Sequence, residues 1–189
     1  MDTITADKIR SLNVLNHVDF MVLGDQIRTL FLPIWGKATE LPDVYQNIME
    51  YTENPDKIEK VIINIWNLND KTDATYRMFP LDGTENTGFD YAIIVYDVIT
   101  RKKKEDLNLW LSIKDQVSNR QHSARKCEVV VLVVKTTRTE QKDYQHILDC
   151  CEKNGINVIT VDNSKEDLGK MKDLPEKLSH ITYKERKTG

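Results

Sequence analysis

The clearest feature of the hydrophobic pattern is an apolar run, Tyr91–Tyr96, that is rich in β-branched and aromatic residues and hardly alternates with polar ones. Such a run is typical of a strand that is covered on both faces of a sheet. Asp97 and Thr100 follow it, and both are suited to ending a strand and capping a helix. A second apolar run, Cys127–Val134, predicts a returning parallel strand. Between the two runs, apolar residues recur at helical spacing at Leu107, Trp110, Leu111 and Val117.

Three more apolar runs predict strands, at His17–Gly24, Val61–Trp66 and Ile156–Val161. Before the second of these, Asn54, Pro55 and Asp56 form a sequence that is typical of a turn. The strands therefore recur along most of the chain, separated by segments with a different periodicity.

Two segments in the first third of the chain have helical spacing. Asp25–Trp35 carries one apolar stripe, and Pro33 is expected to kink or end that helix. Glu40–Glu53 predicts a second short helix, because Val44, Ile48 and Tyr51 fall along one side of it.

Two more helices are predicted in the last third. Gln141–Asn154 has clear helical periodicity, and Gly155 stands where a left-handed C-terminal cap is favoured. A last helix is expected to begin after a cap at Asn163 or Ser164 and to be disturbed by Pro175.

Alternating strands and helices predict a three-layer α/β domain with a mostly parallel sheet of five or six strands. We expect an N-terminal arm at residues 1–17, one domain at 18–180 and a flexible polar tail at 181–189 that frays from about His180. The long polar segment Asn67–Gly88 is expected to be a functional or mobile loop.

Composition narrows the class of protein. The 189 residues carry a net charge of −3, so no broad electrostatic footprint for nucleic acid is expected. No apolar run approaches the ~20 residues that a membrane helix needs, and the N-terminus lacks a signal-peptide pattern. The three cysteines have no metal-ligand spacing and suit a reducing compartment, so we expect a cytoplasmic protein. Cys150 and Cys151 are interpreted as ordinary thiols, one of them facing the core.

The sequence VYDVIT at Val95–Thr100, followed by LNLWL at Leu107–Leu111, resembles the fourth strand and third helix of small GTPases of the Ras and Rab kind. The resemblance extends over roughly Asp19–Met171 and implies the topology of P-loop nucleotide hydrolases. It also implies an antiparallel second strand, which the pattern does not reveal because Glu40–Glu53 has helical spacing there.

The phosphate-binding loop of that family needs G-x-x-x-x-G-K-[ST], in which backbone N–H groups, a lysine and a hydroxyl hold the phosphates and magnesium. Gly24 stands in the right place after the first strand, but Thr29, Leu30 and Phe31 occupy the G-K-S positions. Gly36-Lys37-Ala38 is a decoy, since it lacks the upstream glycine and the hydroxyl and follows a helix rather than a strand.

The other nucleotide motifs are also altered. The family's W-D-x-x-G aligns with Trp66–Asp70, where Asn67 replaces the magnesium-binding aspartate and Asp70 replaces the glycine. The guanine-reading N-K-x-D aligns with Val134–Thr137, which keeps Lys135 but has lost the carboxylate. The last motif, S-A-K, aligns weakly with Asn163–Lys165, which helix capping explains as well.

These independent losses favour a pseudoGTPase, in which the frame is kept and the nucleotide is not bound. We therefore expect no catalytic, cofactor-binding or metal-binding residues, no enzymatic activity, and a role as an interaction scaffold or subunit of a larger assembly. Its protein partner is unidentified by the sequence. The pocket is expected to be filled by the chain's own side chains, at Leu30, Phe31, Ile34 and Trp35.

Other constellations carry less weight. His17, His122, His146 and His180 are scattered and have no partner at metal-ligand spacing. The cationic run Arg101–Lys104 is interpreted as a solvated turn in preference to a patch for an acidic partner. The chain ends KERKTG, so no prenyl anchor and no direct membrane anchor are expected.

Two alternatives to the pseudoGTPase remain. One is a divergent small GTPase that still binds guanine nucleotide by unusual means. The other is a flavodoxin-like or receiver-like domain, although a receiver needs an aspartate at the end of its third strand, where this chain has Asn67. The contact surfaces favoured for a scaffold are the Asn67–Gly88 loop and the segment Trp35–Tyr51.

Overall fold

A computed structural model of the chain describes residues 17–40, 43–68, 89–99, 107–108, 110–112, 114–115 and 127–188. These residues build a mixed sheet with helices packed on both of its faces. The strands are β1 (His17–Gly24), β2 (Lys37–Ala38), β3 (Val44–Asn54), β4 (Lys57–Asn67), β5 (Tyr91–Asp97), β6 (Glu128–Lys135) and β7 (Asn157–Asp162).

The strand order across the sheet is β2-β3-β4-β1-β5-β6-β7. The five strands β4, β1, β5, β6 and β7 are parallel, whereas β3 is antiparallel to β4 and β2 is antiparallel to β3. The predicted α/β class with a mostly parallel sheet is therefore confirmed. The predicted number of five or six strands is wrong, because the described residues already form seven.

The helical elements lie between these strands and after the last one. A π-helical turn at Ile27–Phe31 leads into α1 (Leu32–Trp35), which has Pro33 in its first turn and ends two residues after it. Between residues 107 and 115, the described residues are helical. A 3-10 turn at Gln141–Asp143 precedes α2 (Gln145–Lys153), and α3 (Lys165–Lys170) and α4 (Leu174–Thr188) follow β7.

Two apolar cores sandwich the sheet. In the first, alternate residues of β1 such as Phe20 pack against the α1 region and α4, where Trp35 and Tyr183 are buried. In the second, the opposite face of the sheet packs against the helical residues Leu107 and Trp110 and against α2. Both faces of β5 are covered, and all seven of its residues are buried, as its apolar run predicts.

The sequence prediction of a helix at Glu40–Glu53 is wrong, since this segment contains the antiparallel strand β3. Asn54 pairs with Lys57 across the predicted turn, and β3 pairs with β4 along nearly its whole length. Met49 faces the first core, whereas Val44 faces the second, as in a strand. Pairing with β4 thus decides the local structure against an accidental helical spacing.

The expectation of a frayed tail beyond His180 is also wrong, because α4 continues to Thr188. Arg186 Nη1 donates to the carbonyl of His17 at 2.6 Å, and Arg186 Nη2 donates to the carboxylate of Asp90. Tyr183 donates to Glu59 Oε2 at 2.9 Å. The polar residues of this helix therefore bind the beginnings of several strands instead of extending into solvent.

Several predictions fall outside the described residues: the loop from residue 69 to 88, the cationic run Arg101–Lys104, and the residues around His122. In the part of the chain that is described, no helix has the length and apolar character needed to cross a membrane.

Candidate ligand site at the carboxyl ends of the parallel strands

Ligands of open α/β sheets bind beyond the carboxyl ends of the parallel strands, where successive connections leave in opposite directions. In this sheet that point lies between β1 and β5, because the chain leaves β1 toward β2 and leaves β5 toward β6. The residues that end the five parallel strands are Asn67, Gly24, Asp97, Lys135 and Asp162.

The exit of β1 is unusually tight. Gly24 has φ +112°, and a Cβ at this position would lie 2.1 Å from the carbonyl oxygen of Val95. The N–H of Asp25 donates to that same oxygen at 2.9 Å. Only Asp25 and Gln26 separate the strand from the helical turn that begins at Ile27.

Asp25 also connects the exits of β1 and β5 through its side chain. Its Oδ2 accepts a hydrogen bond from the N–H of Asp97 at 3.1 Å. The Asp97 carboxylate is almost completely buried and accepts from the N–H of Ile99 at 2.9 Å through Oδ1. Two carboxylates therefore lie at the point of the sheet where an anionic ligand would approach.

The residues at the expected phosphate-loop positions form helix rather than loop. Thr29 is exposed, and its hydroxyl donates to the side-chain oxygen of Gln26 at 2.8 Å. Phe31 is fully buried and stacks on Trp35, with ring centroids 4.9 Å apart. Trp35 Nε1 in turn donates to the carbonyl of Met171 at 2.8 Å, which ties α1 to the end of α3.

The side chains expected to fill the pocket differ in their burial. Phe31 and Trp35 belong to the first core, whereas Leu30 and Ile34 are partly buried and pack against it. Two further residues, Ile27 and Leu32, were not expected to fill the pocket but are equally buried in this group. Ile27 lies on the apolar stripe of the predicted helix Asp25–Trp35, whereas Leu32 lies off it, so helical periodicity could have identified only Ile27.

At the exit of β4, Asn67 is buried and its N–H donates to the carbonyl of Asp43 at 2.8 Å. The N–H of Leu68 donates to the carbonyl of Val22 at 3.0 Å, so the backbone remains tied to β1 after the strand ends. Asp70, the other altered position of this motif, lies outside the described residues.

At the far end of the edge, Lys135 is engaged by a neighbour. Its Nζ lies 2.5 Å from Oδ1 of Asp162, and this hydrogen bond raises the pKa of the lysine. The N–H of Asn163 donates to the carbonyl of Lys135 at 2.6 Å. Ser164 caps α3 by accepting from the N–H of Asp167, so this motif position has the capping role expected for it.

The described cysteines and histidines supply no competing site. Cys151 is buried, and burial raises the pKa of its thiol to about 11, whereas Cys150 is partly exposed. His17 contacts Asp19 at 2.6 Å, and His146 contacts Tyr96 at 3.3 Å. Among the described residues, no group of three or more histidine, cysteine or acidic side chains has a geometry that could hold a metal ion.

Comparison with known proteins adds no assignment. No protein-family model and no curated sequence gives a significant match to the chain. The site must therefore be interpreted from its own residues. Asp25 and Asp97 are hydrogen-bonded at the ends of β1 and β5, and the buried rings of Phe31 and Trp35 lie in the helical segment that follows β1.

Proposed function

We propose that this chain is a pseudoGTPase domain, which neither binds nor hydrolyses GTP and acts as an interaction scaffold or as a subunit of a larger assembly. The frame supports the small-GTPase part of the proposal. An antiparallel strand, β3, flanks the parallel order β4-β1-β5-β6-β7, and a helix follows β1 directly. Val95–Ile99, the described part of the VYDVIT sequence that carries the resemblance, span the end of β5 and its exit.

The observation that carries the loss of nucleotide binding is the connection after β1. A phosphate-binding loop places four residues between its two glycines so that backbone N–H groups can surround the phosphates. Here only Asp25 and Gln26 precede the helical turn at Ile27, and the turn is held to the core by buried Phe31 and Trp35. Forming such a loop would require this apolar group to unpack.

The charges at the strand ends also disfavour the binding of a phosphate group. Among the described residues that end or directly follow the parallel strands, Asp25, Asp97 and Asp162 are acidic, and the basic Lys135 is already paired with Asp162. A phosphate charge 4 Å from one carboxylate costs on the order of 4 kcal/mol at the effective dielectric constant of a protein surface. Leu30 stands at the position of the phosphate-binding lysine, so this position supplies no ammonium group for a phosphate.

The loss of nucleotide binding is tested by thermal unfolding with GDP or GTP and magnesium. A ligand present at about a hundred times its Kd stabilises a protein by about 2.7 kcal/mol, which raises Tm by roughly 5–10 °C for a chain of this size. We expect no shift beyond that seen with magnesium alone. A shift of several degrees that disappears in Lys135→Ala would overturn the proposal and favour a divergent GTPase.

For the interaction half, the described part of the proposed contact segment Trp35–Tyr51 presents few exposed side chains. The exposed residues are Lys37 and Ala38 of β2, Glu40 and Glu50, whereas Trp35 and Tyr51 are buried. A partner that contacts this segment would therefore meet mainly these residues. The other proposed surface, the Asn67–Gly88 loop, remains a prediction.

The test is co-purification of the native partner with tagged variants. Lys37→Glu reverses a charge on the proposed surface, and Lys153→Glu makes the same change at the end of α2, which packs against β7 at the other edge of the sheet. We expect Lys37→Glu to reduce the recovered partner several-fold and Lys153→Glu to leave it unchanged. Equal recovery with both variants would remove this segment from the interface.

A further inference from the structure

Among the described residues, β2 covers only a small part of the outer edge of β3. β2 pairs with β3 at Tyr45 and Gln46, whereas β3 continues to Asn54. An edge strand with unpaired backbone donors and acceptors is a template for a strand from another molecule. The residues beyond Gln46 are therefore the part of this edge that needs protection.

The backbone direction of each β3 residue follows from two hydrogen bonds. The carbonyl of Asp43 accepts from the N–H of Asn67 at 2.8 Å and so points toward β4. The next carbonyl, that of Val44, accepts from the N–H of Thr39 at 3.1 Å on the opposite side. Because directions alternate along an antiparallel strand, the backbone groups of Ile48, Glu50 and Thr52 also point outward.

The first outward N–H beyond β2 is occupied by a neighbouring side chain. Ile48 donates its N–H to Oδ1 of Asn47 at 2.9 Å. β2 does not extend to this position, because Trp35 belongs to α1 and the N–H of Gly36 is directed to the carbonyl of Leu32 at 3.3 Å. Asparagine is depleted in strands because its side chain competes for backbone hydrogen bonds. Here the Asn47 side chain accepts from the Ile48 N–H, which would otherwise face the open edge of the sheet.

We propose that Asn47 is an edge guard, which keeps a second copy of this chain from adding its own strand to β3. An incoming strand would have to displace an acceptor that is already in place. The rest of the edge carries two further devices that oppose strand addition: the exposed charge of Glu50 and a register irregularity between Thr52 and Asn54. This inference concerns the backbone edge and stands whether or not the chain binds nucleotide.

The test compares two valine variants by light scattering during size-exclusion chromatography over a wide range of protein concentration. Asn47→Val removes the guard, and Asn157→Val makes the same change at an exposed position of β7, the strand at the other edge of the sheet. We expect the mass of Asn47→Val to rise with concentration toward at least twice the monomer mass. The Asn157→Val protein should elute like the wild type.

A second change shows which surface associates. Adding Glu50→Pro to Asn47→Val removes an outward N–H that an added strand would use, and proline is tolerated where the N–H of an edge strand faces solvent. The double variant should return to a monomer.

Two results would overturn the proposal. One is a monomeric Asn47→Val protein at every concentration, and the other is association that Glu50→Pro does not reverse. If Asn47→Val does not fold, as judged by far-UV circular dichroism, Asn47→Ala replaces it with the same expectations.

Discussion

Oδ2 of Asp25 accepts a hydrogen bond from the N–H of Asp97 at 3.1 Å, so the exits of β1 and β5 are joined across the centre of the sheet. The N–H of Asp25 donates to the carbonyl of Val95 at 2.9 Å, so a second hydrogen bond joins the same two strand ends. In open α/β sheets a ligand would enter between these two exits. Here the Asp25 carboxylate already accepts the hydrogen bond from the Asp97 N–H, a donor that a ligand would otherwise use.

The first prediction concerns that carboxylate. Asp25→Ala leaves the Asp97 N–H without its acceptor, and we expect a loss of about 1–2 kcal/mol in the free energy of unfolding. Urea denaturation followed by circular dichroism measures it. Asp25→Asn keeps an oxygen in the same place and should lose less than half as much, so equal losses in the two variants would contradict the assigned hydrogen bond.

The second prediction separates backbone strain from steric clash. Gly24 and Gly155 both have positive φ, +112° and +64°, but only at Gly24 would an added Cβ meet another atom within 4 Å, the Val95 carbonyl oxygen at 2.1 Å. Gly155→Ala should cost about 1–2 kcal/mol through the left-handed conformation alone. Gly24→Ala should cost at least twice as much or fail to fold. Similar unfolding midpoints for the two variants would refute the close packing at the exit of β1.

Sequence reasoning succeeded where burial on both faces leaves an unmistakable signal. Tyr91–Asp97 is buried at every position, and its apolar run could hardly form anything but a central strand. β3 was missed because Val44, Ile48 and Tyr51 have helical spacing, while the partner that fixes the segment as a strand, β4, lies beyond the next turn. Local periodicity does not reveal secondary structure that depends on pairing with a strand elsewhere in the chain.

The site was predicted unevenly for a related reason. The missing lysine and hydroxyl at Leu30 and Phe31 are visible in the sequence, because a motif is a local pattern. The Asp25–Asp97 hydrogen bond joins residues 72 positions apart, and only the strand order brings them together. The same holds for the end of α4, whose Arg186 is a polar tail residue in the sequence and the partner of Asp90 in the fold.

The third prediction tests how α1 is held over the sheet. Trp35→Phe keeps most of the buried ring but removes the hydrogen bond from Nε1 to the Met171 carbonyl, and should cost about 1–2 kcal/mol. Trp35→Ala also leaves a cavity beside Phe31 and should cost about 3–5 kcal/mol. Chemical denaturation measures both values. A Trp35→Ala protein as stable as Trp35→Phe would mean that the ring contributes little to closing this region.

The fourth prediction uses thiol reactivity. Burial raises the pKa of the Cys151 thiol to about 11, so the reactive thiolate is scarce at neutral pH and reagent has little access to it. Cys127 and Cys150 are partly exposed and should react first with an alkylating reagent. Mass spectrometry of tryptic peptides identifies the labelled sites, and the same reaction in denaturant, where Cys151 should react as well, is the control. Rapid labelling of native Cys151 would contradict its place in the core.

The last prediction concerns the attachment of the α4 end to β4. Lys187 Nζ lies 2.5 Å from Oε1 of Glu59, and Tyr183 donates to Oε2 at 2.9 Å. The hydrogen bond from Lys187, with a smaller effect of the one from Tyr183, lowers the pKa of the Glu59 carboxyl below its ordinary value. A group whose pKa is lower in the folded state stabilises the fold above its unfolded pKa of ~4.3, and this contribution disappears as the pH falls through the folded pKa.

Glu59→Gln should therefore lower Tm at neutral pH, with a difference from wild type that narrows below about pH 4, where the wild-type carboxyl also becomes neutral. Glu152→Gln, which changes an exposed carboxyl on α2, is the matched control and should follow the wild type at each pH. Thermal unfolding across this pH range measures both. A Glu59→Gln deficit that is constant with pH would assign the effect to lost packing rather than to the charge that holds α4 on the sheet.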